Sequence, residues 1–359
     1  MKQTLYIHVG AGKTGTTAIQ DFLYLNKSLL SDKGIYIPEE GNIHSDGSIA
    51  HHKLSAWGAH RSTDVWPLWK SIASSKSKKI LLTSEYFHSR ISAKDGSLFF
   101  EKINTLFSNF NIKIIFYIRR QDQWIQSVYE QWVKSGSLRT GQTIEEFVDA
   151  YKNNLPDQLL KFSSVFGKEN IIVRVFEKSQ FKDGNIFSDF FGALNVELPN
   201  NICFPEKNSN SRLSPDALHF KSISNSVCKD VKTAQVLSKP LLDYSTDLYA
   251  SDSQRIHHSH GILSKNTQKK IYEANKEKYS EIAKNYLGRE SGELFLDEPS
   301  FLEEEFKYTN ENTVKISSYL FTTLFKRISL LEKENKAMLK KIDSISTGTT
   351  FKGLFDVKK

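Results

Sequence analysis

A short run of strand-forming residues leads directly into a glycine-rich turn at the start of the chain, and this junction limits the fold more than any other feature. Residues 4–9 read TLYIHV, residues 10–13 read GAGK, and an apolar spacing typical of a helix follows residue 15. A strand, a glycine turn and a helix in that order direct backbone N–H groups and the positive end of a helix dipole toward one point. The sequence therefore predicts an anion-binding loop.

The loop also contains side chains suited to binding phosphate. Glycine lets the backbone approach a phosphate closely, lysine adds a positive charge, and threonine hydroxyls can donate hydrogen bonds. We expect the following residues to bind phosphate groups: Gly12, Lys13, Thr14, Gly15, Thr16 and Thr17.

Two common nucleotide-binding loops fit this segment poorly. A Walker A loop requires glycine six residues before the lysine, where this chain has Ile7. The dinucleotide pattern G-x-G-x-x-G matches Gly10, Gly12 and Gly15, but neither a lysine nor a hydroxyl cluster belongs to that pattern. A purely structural glycine turn is the remaining alternative, and the number of donor groups in the loop argues against it.

Three further segments have the composition of buried strands: 79–83, 112–118 and 170–176. Helical spacing precedes the last two, at 98–107 and 143–166. Strands that alternate with helices predict an α/β fold, here a P-loop-like three-layer α/β/α arrangement around a central parallel sheet. Residues 200–264 are rich in Ser, Asn and Lys, which predicts loops and short helices.

A second candidate site follows the strand at 112–118. Arg119 and Arg120 come directly after it, and Ser127 follows eight residues after Arg119 on a predicted helix. Ligands of an open α/β sheet bind beyond the carboxyl ends of its strands, so Arg119 and the glycine loop should share one edge. Arginine can hold a phosphate with two hydrogen bonds, and a serine hydroxyl can donate another. An exposed arginine pair and an ordinary helix serine are the alternative.

Composition narrows the partners and the location. The chain has 359 residues, and 49 Lys+Arg against 41 Asp+Glu give a formal net charge of +8, which favours polyanionic partners. Its two cysteines cannot build a disulfide framework, which fits a reducing compartment. No apolar run approaches the roughly 18 residues of a spanning helix, and the first residues do not resemble a signal peptide. We expect a cytoplasmic protein that at most contacts the surface of the inner membrane.

A seven-residue repeat occupies the C-terminal part. Its a positions are Val314, Phe321, Ile328, Asn335 and Ile342, and its d positions are Ser317, Leu324, Leu331, Met338 and Ile345. The pattern fits either a coiled coil between copies of the chain or one long amphipathic helix packed on the body. We therefore predict an α/β domain at 1–300 and a C-terminal helix with a short basic tail at 301–359.

These motifs resemble those of the sulfotransferases that use 3′-phosphoadenosine 5′-phosphosulfate (PAPS), especially the soluble bacterial carbohydrate-type members. HVGAGKTGTT is similar to the family's 5′-phosphosulfate loop, and FYIRRQDQWIQSVY is similar to its 3′-phosphate motif. Gly12 stands where many members have proline, and the Arg-Lys-Gly triplet of the small-molecule branch is absent. The resemblance spans residues 4–297, with weaker similarities at 81–87, 174–181, 208–214 and 275–295.

The resemblance implies a role for each part of the site. Lys13 and the other loop donors would hold the 5′-phosphosulfate and stabilise the leaving oxygen. Arg119 and Ser127 would hold the 3′-phosphate, with Arg212 or Arg120 replacing the missing triplet.

The catalytic base has two candidates. Glu85 follows the strand at 79–83 and should project from the same sheet edge as the loop, and glycan and tyrosine sulfotransferases place a catalytic Glu in this region. His88 competes because an ordinary imidazole pKa of roughly 6.5 suits a base near neutral pH. A helix cap or a salt bridge is the structural alternative for Glu85. His51 and His52 resemble an acceptor-side segment and are predicted, with Glu85, to contact the substrate, although exposed loop histidines fit them nearly as well.

Together these features predict an enzyme that moves a sulfuryl group from PAPS to a hydroxyl of a glycan or glycoconjugate, without a metal. The run at 257–260 (HHSH) has no carboxylates at metal-ligand spacing. An atypical P-loop kinase for a sugar or small metabolite is the first alternative, but the strand-end Asp that holds Mg²⁺ is missing. A non-enzymatic adaptor for polyanions is the second, and it leaves the loop unexplained. We expect no nucleic-acid partner.

Overall fold

The computed structural model describes residues 2–42, 48–197, 201–205, 212–250, 262–299, 301 and 306–348, with the backbone alone at 248–250 and 343–348. The sheet of this part of the chain consists of β1 (Thr4–His8), β2 (Ile35–Tyr36), β3 (Lys79–Thr83), β4 (Asn111–Ile118) and β5 (Ile171–Val175). Its order is β2-β3-β1-β4-β5, and all neighbours are parallel. The predicted parallel α/β fold is confirmed, and the two-residue β2 is too short to give a periodic signal.

The carboxyl ends of the three inner strands meet at one edge. His8 pairs with Thr83 of β3 and Ile115 of β4. Beyond these pairs, the Ser84 N–H donates to the His8 carbonyl at 3.1 Å, and the Val9 N–H donates to the Ile115 carbonyl at 3.2 Å. The chain reverses its direction of winding at β1, which is where open α/β sheets bind ligands.

The helices are α1 (Thr16–Leu25), α2 (Lys27–Asp32), α3 (Trp66–Ala73), α4 (Glu85–Ile91), α5 (Gly96–Leu106), α6 (Gln121–Lys134), α7 (Ile144–Ala150), α8 (Leu155–Phe166), α9 (Ile186–Ala193), α10 (Pro215–Ser226), α11 (Val231–Gln235), α12 (Ser238–Ala250), α13 (Lys265–Leu287) and α14 (Asn310–Gly348). The helical stretch predicted at 143–166 is two helices, because the Asn154 side chain caps α8 and Pro156 lies in its first turn.

The chain divides into two compact units, of which the first comprises Met1–Trp132, Gln142–Ser211 and His258–Glu305. This unit has three layers. On one face of the sheet, Phe22 of α1 and Phe191 of α9 pack with Ile115. On the other face, Phe100 of α5 meets Phe162 of α8 with ring centroids 5.0 Å apart. The strands are buried on both faces, which explains their continuous apolar runs.

The second unit comprises Val133–Gly141, Arg212–His257 and Phe306–Lys359. Its core contains Ala217 of α10, Leu241 and Tyr244 of α12, and Ile316 of α14. The boundary predicted at residue 300 therefore separates elements that share a core, since α10 and α12 group with the C-terminal helix. The short helices predicted within 200–264 are present as α10, α11 and α12.

Some predicted features lie outside the described residues. These are most of the basic tail (349–359), the first part of the motif at 208–214, and the histidine-rich run at 257–260. Within the described ranges, no helix combines the length and hydropathy needed to cross a membrane.

Candidate active site

The loop between β1 and α1 is folded around the carbonyl oxygen of Ala11. This oxygen accepts hydrogen bonds from the Thr14 hydroxyl at 2.5 Å, the Thr14 N–H at 3.2 Å and the Thr16 hydroxyl at 3.2 Å. Thr14 is fully buried, so its hydroxyl closes the loop instead of facing a ligand as predicted. Thr17 is exposed at the start of α1, where its hydroxyl is accessible to a ligand.

Gly15 caps α1 in the left-handed conformation, with φ +79°. A glycine cap has no side chain to bond the N–H groups of the first turn, so these donors stay available to an anion. A Cβ at this position would overlap Cδ1 of Ile186 and lie 3.0 Å from Cε2 of Phe176. Residue 15 is therefore restricted to glycine by its backbone conformation and by its neighbours.

We expect Gly15→Ala to lower the free energy of unfolding by about 3 kcal/mol, because backbone strain and steric overlap act together. Gly34→Ala is the matched control, since Gly34 has φ +76° and a Cβ there would meet no described atom within 4 Å. This control should lose about 1 kcal/mol from the backbone alone. Urea unfolding followed by circular dichroism measures both variants, and equal losses would show that Ile186 moves aside without cost.

Arg119 connects the glycine loop to α6. Its Nη1 donates to the Lys13 carbonyl at 3.0 Å and to the Ser127 hydroxyl at 3.1 Å. Its guanidinium carbon lies 5.5 Å from the centroid of the Phe176 ring. Arg119 therefore joins two motifs that were predicted separately, the glycine loop and the pair formed with Ser127, whose side chain is buried.

A cavity of about 250 Å³ opens beside Arg119. Its lining combines aromatic rings with charged and amide groups: Arg119, Arg120, Gln123, Phe176, Glu177, Lys178, Phe295, Asp297 and Glu298. Phe176 and Phe295 are the aromatic members of this mostly polar lining, and an aromatic face can stack on a planar heterocycle such as a nucleobase.

Arg120 and Arg212 were the two candidates for a further contact to the 3′-phosphate. The Arg120 guanidinium donates to both carboxylate oxygens of buried Asp122, at 3.0 and 2.6 Å, and lies near the rings of Tyr272 and Phe301. This pairing neutralises the charge of Arg120 and gives it a structural role at the cavity wall. Arg212 is exposed and belongs to the second unit, and its assignment stays a prediction.

Glu85 is the first residue of α4, and Ser84 alone separates it from the end of β3. The Ser84 hydroxyl caps this helix by accepting the Tyr86 N–H at 3.1 Å. The Ser84 N–H donates to the carbonyl of His8, the last residue of β1. Glu85 therefore lies at the same edge of the sheet as the start of the glycine loop. Burial raises the pKa of Glu85, and the positive charge of Lys13 opposes this effect without cancelling it. The predicted base and the predicted loop cation therefore interact electrostatically.

His88 lies three residues after Glu85, on the same face of α4. It is buried, and its ring packs edge-on against Trp124 with centroids 5.7 Å apart. Burial lowers the pKa of His88 to about 4, so the imidazole is neutral at pH 7 and a weak base. These properties favour Glu85 as the base.

The two acceptor-side histidines differ in their surroundings. His51 is fully buried; its Nδ1 accepts the Thr83 N–H at 3.2 Å and its Nε2 lies 2.9 Å from the Pro38 carbonyl. Both ring nitrogens are used inside the protein, which favours a structural role over contact with a substrate. His52 is half-buried, stacks on Tyr86 with centroids 4.3 Å apart, and its Nδ1 lies 2.9 Å from the Ser84 hydroxyl. It is the better candidate for a substrate contact.

Two residues that contact the loop region, Trp124 and His8, were not among the site residues predicted from the sequence. Trp124 donates its indole N–H to the Gly12 carbonyl at 2.8 Å. It precedes Ser127 by three residues on α6, so helical spacing could have identified it. His8 ends β1, and its Nδ1 lies 2.9 Å from the Thr83 hydroxyl. Burial lowers the pKa of His8 to about 3, so it is neutral beside the loop, and no pattern in the sequence signals its position.

No protein-family profile matches the chain. An uncharacterized protein of Archaeoglobus fulgidus is 35% identical over 88 residues, which are 24% of this chain and 23% of that protein. The crystal structure of a sulfotransferase from Alicyclobacillus acidocaldarius aligns with 63% of this chain and 95% of its own, at 14% identity and a TM-score of 0.37. A TM-score this low does not establish a common fold.

Metal ligands are also not grouped in this part of the molecule. Within the described ranges, no three His, Cys, Asp or Glu side chains lie close enough together to hold a metal ion.

Proposed function

We propose that this protein is a PAPS-dependent sulfotransferase that modifies a hydroxyl of a glycan or glycoconjugate. The observation that supports this best is the double hydrogen bond of Arg119, to the Lys13 carbonyl and to the Ser127 hydroxyl. It joins two groups of anion-binding donors at one sheet edge. PAPS has anionic groups at both its 5′ and 3′ positions, whereas ATP has all its phosphates at one end, so two adjacent anion sites favour PAPS.

Each group of donors has a part in binding PAPS. The N–H groups of the first turn of α1 and the Lys13 ammonium bind the 5′-phosphosulfate. Arg119 and Ser127 turn toward the 3′-phosphate, exchanging the hydrogen bond between them for bonds to its oxygens. The adenine enters the cavity of about 250 Å³ and lies against Phe176.

The reaction is an in-line displacement at sulfur. The acceptor hydroxyl oxygen attacks the sulfur and forms a new S–O bond, while the bond from sulfur to the bridging oxygen breaks and its electron pair stays on the 5′-phosphate. Lys13 stabilises the charge that develops on this oxygen. Glu85 accepts the hydroxyl proton, and the burial that raises its pKa makes it a stronger base than an exposed carboxylate.

A second cavity, of about 390 Å³, supports a glycan as the acceptor. Its lining includes Trp57, Trp66, Arg61, Asp64 and Lys102. Aromatic faces pack against the C–H faces of sugar rings, and charged side chains bond their hydroxyls. Beside Trp57, a Cβ on Gly58 would lie 3.3 Å from the ring of Tyr86, the neighbour of Glu85. The segment that carries Trp57 therefore runs close to Tyr86, the second residue of α4.

Calorimetric titration with 3′-phosphoadenosine 5′-phosphate, the desulfated product, tests the proposal. We expect this compound to bind without magnesium and ATP to bind more weakly. Arg119→Ala should weaken binding of the product by about 10- to 100-fold, because charged hydrogen bonds to a phosphate are lost. Arg139→Ala is the control, since Arg139 is an exposed arginine that bonds the Cys228 and Lys229 carbonyls in the second unit.

Two outcomes would overturn the proposal. Preference for ATP with magnesium would identify a kinase. Binding of polyanions with a steep salt dependence, but of neither nucleotide, would identify a non-enzymatic adaptor.

A further inference from the structure

Helix α14 exposes a long apolar seam. At its start, Ile316 is fully buried in the core of the second unit. From residue 321 to residue 342 every side chain is exposed. The six apolar side chains at a and d positions of the seven-residue repeat within this segment are 41–61% exposed: Phe321, Leu324, Ile328, Leu331, Met338 and Ile342. Within the second unit, the packing of α14 against α10 and α12 is therefore limited to the first part of the helix, around Ile316 and Leu320.

A helix of this kind needs a partner along the exposed part. Helices in water gain most of their stability from packing an apolar face, and the apolar face of segment 321–342 is left exposed by the described part of the chain. A strict seven-residue repeat drifts by about 20° per heptad on a straight helix, so its seam stays in contact only with another helix that supercoils around it. The repeat thus selects a helical partner with the same period.

We infer that this partner is the α14 of a second copy of the chain, in a parallel, in-register, two-stranded coiled coil. β-branched residues at a with leucine at d favour two strands. Within segment 321–342, Ile328 and Ile342 occupy a positions, and Leu324 and Leu331 occupy d positions. The branching of the side chains at the a and d positions therefore favours a dimer over larger assemblies.

Asn335 sets the orientation and the register. It is the single polar residue among the a positions, and in a parallel in-register pair it meets the same amide of the second copy. In an antiparallel pair, a positions face d positions, so Asn335 would be buried against Leu324, Leu331 or Met338 without a hydrogen-bond partner. The parallel arrangement avoids this cost.

Charges beside the seam agree with the same arrangement. Arg327 occupies a g position and Glu332 occupies the following e position. In a parallel in-register dimer, g of one helix lies beside the next e of its partner, so Arg327 meets the partner's Glu332 twice by symmetry. No residue of this seam belongs to the proposed active site, so the coiled coil does not depend on the proposed function.

Light scattering on the full-length protein tests the dimer. We expect a mass of twice the 41.1 kDa of one chain. Leu324→Lys with Leu331→Lys should reduce this mass to 41.1 kDa, because two d-position charges would be buried. Thr323→Lys with Leu330→Lys adds the same charge away from the seam and should remain dimeric. A monomeric wild type, including one that binds phospholipid vesicles, or a trimeric wild type would overturn the inference.

Disulfide formation tests the orientation. Ile342→Cys, placed in a background with Cys203→Ser and Cys228→Ser, puts one thiol at the end of the seam. A parallel in-register dimer brings the two thiols together, so mild oxidation should produce a covalent dimer. Lys333→Cys, on the outer face of the helix, should not crosslink. Absence of the crosslink in the Ile342→Cys protein, if it still has dimer mass, would overturn the parallel arrangement.

Discussion

Lys13→Ala should lower kcat/KM for PAPS by about 10³-fold, since the ammonium acts both on the bound 5′-phosphosulfate and on the oxygen that leaves. Lys13 follows Gly12 in the loop and lies in the left-handed conformation, with φ +69°. Its backbone carbonyl accepts a hydrogen bond from Arg119, and alanine at this position would keep that carbonyl. The variant therefore removes the charge and keeps the connection to the 3′-phosphate side.

The measurement is release of 3′-phosphoadenosine 5′-phosphate from PAPS with an acceptor glycan found by screening. Lys70→Ala, an exposed lysine of α3, is the matched control and should retain wild-type rates. Calorimetry with the desulfated product separates binding from turnover. A Lys13→Ala enzyme whose kcat/KM stays within about twofold of wild type would remove Lys13 from the mechanism, because a single electrostatic donor to the leaving group is worth far more than that.

The sheet was predictable because its strands are buried on both faces. Burial on both sides produces uninterrupted apolar runs such as IKIIFYI, and parallel pairing follows from the helices between them. The turn between β1 and α1 was predictable because its three glycines and its lysine lie within the six residues 10–15, directly after a strand pattern. The proximity of Arg119 to that loop followed from the shared sheet edge, and the hydrogen bond from Arg119 to the Lys13 carbonyl confirms that the two motifs meet.

Other features depend on contacts between distant parts of the chain. Residue type alone could not show that the Thr14 hydroxyl donates its hydrogen bond to the Ala11 carbonyl. Nor could it show that Asp122 neutralises the charge of Arg120. The burial of His51 depends on the Pro38 carbonyl and the Thr83 N–H, which come from different segments. The grouping of α10 and α12 with α14 depends on the packing of Ile316, a single side chain outside the a and d positions.

Glu85→Gln should lower kcat by about 10²- to 10⁴-fold while leaving the affinity for the desulfated product nearly unchanged, because the amide keeps the shape of the carboxylate but cannot accept the proton. The wild-type rate should fall as the pH is lowered through the pKa of Glu85, since only the ionised carboxylate acts as a base. Burial raises that pKa, so the decline should begin above the ordinary carboxyl range. This acid limb should disappear in Glu85→Gln.

The control and the competing assignment are tested in the same pH series. Glu101→Gln changes an exposed carboxylate of α5 and should retain both the rate and the acid limb. His88 has a pKa lowered to about 4, so if it were the base, the decline would lie near pH 4 and would be lost in His88→Asn. Near-normal turnover in Glu85→Gln together with that result would transfer the role of base to His88. Loss of turnover in Glu85→Gln with intact product binding would instead show that the carboxylate at the start of α4 acts in the chemical step.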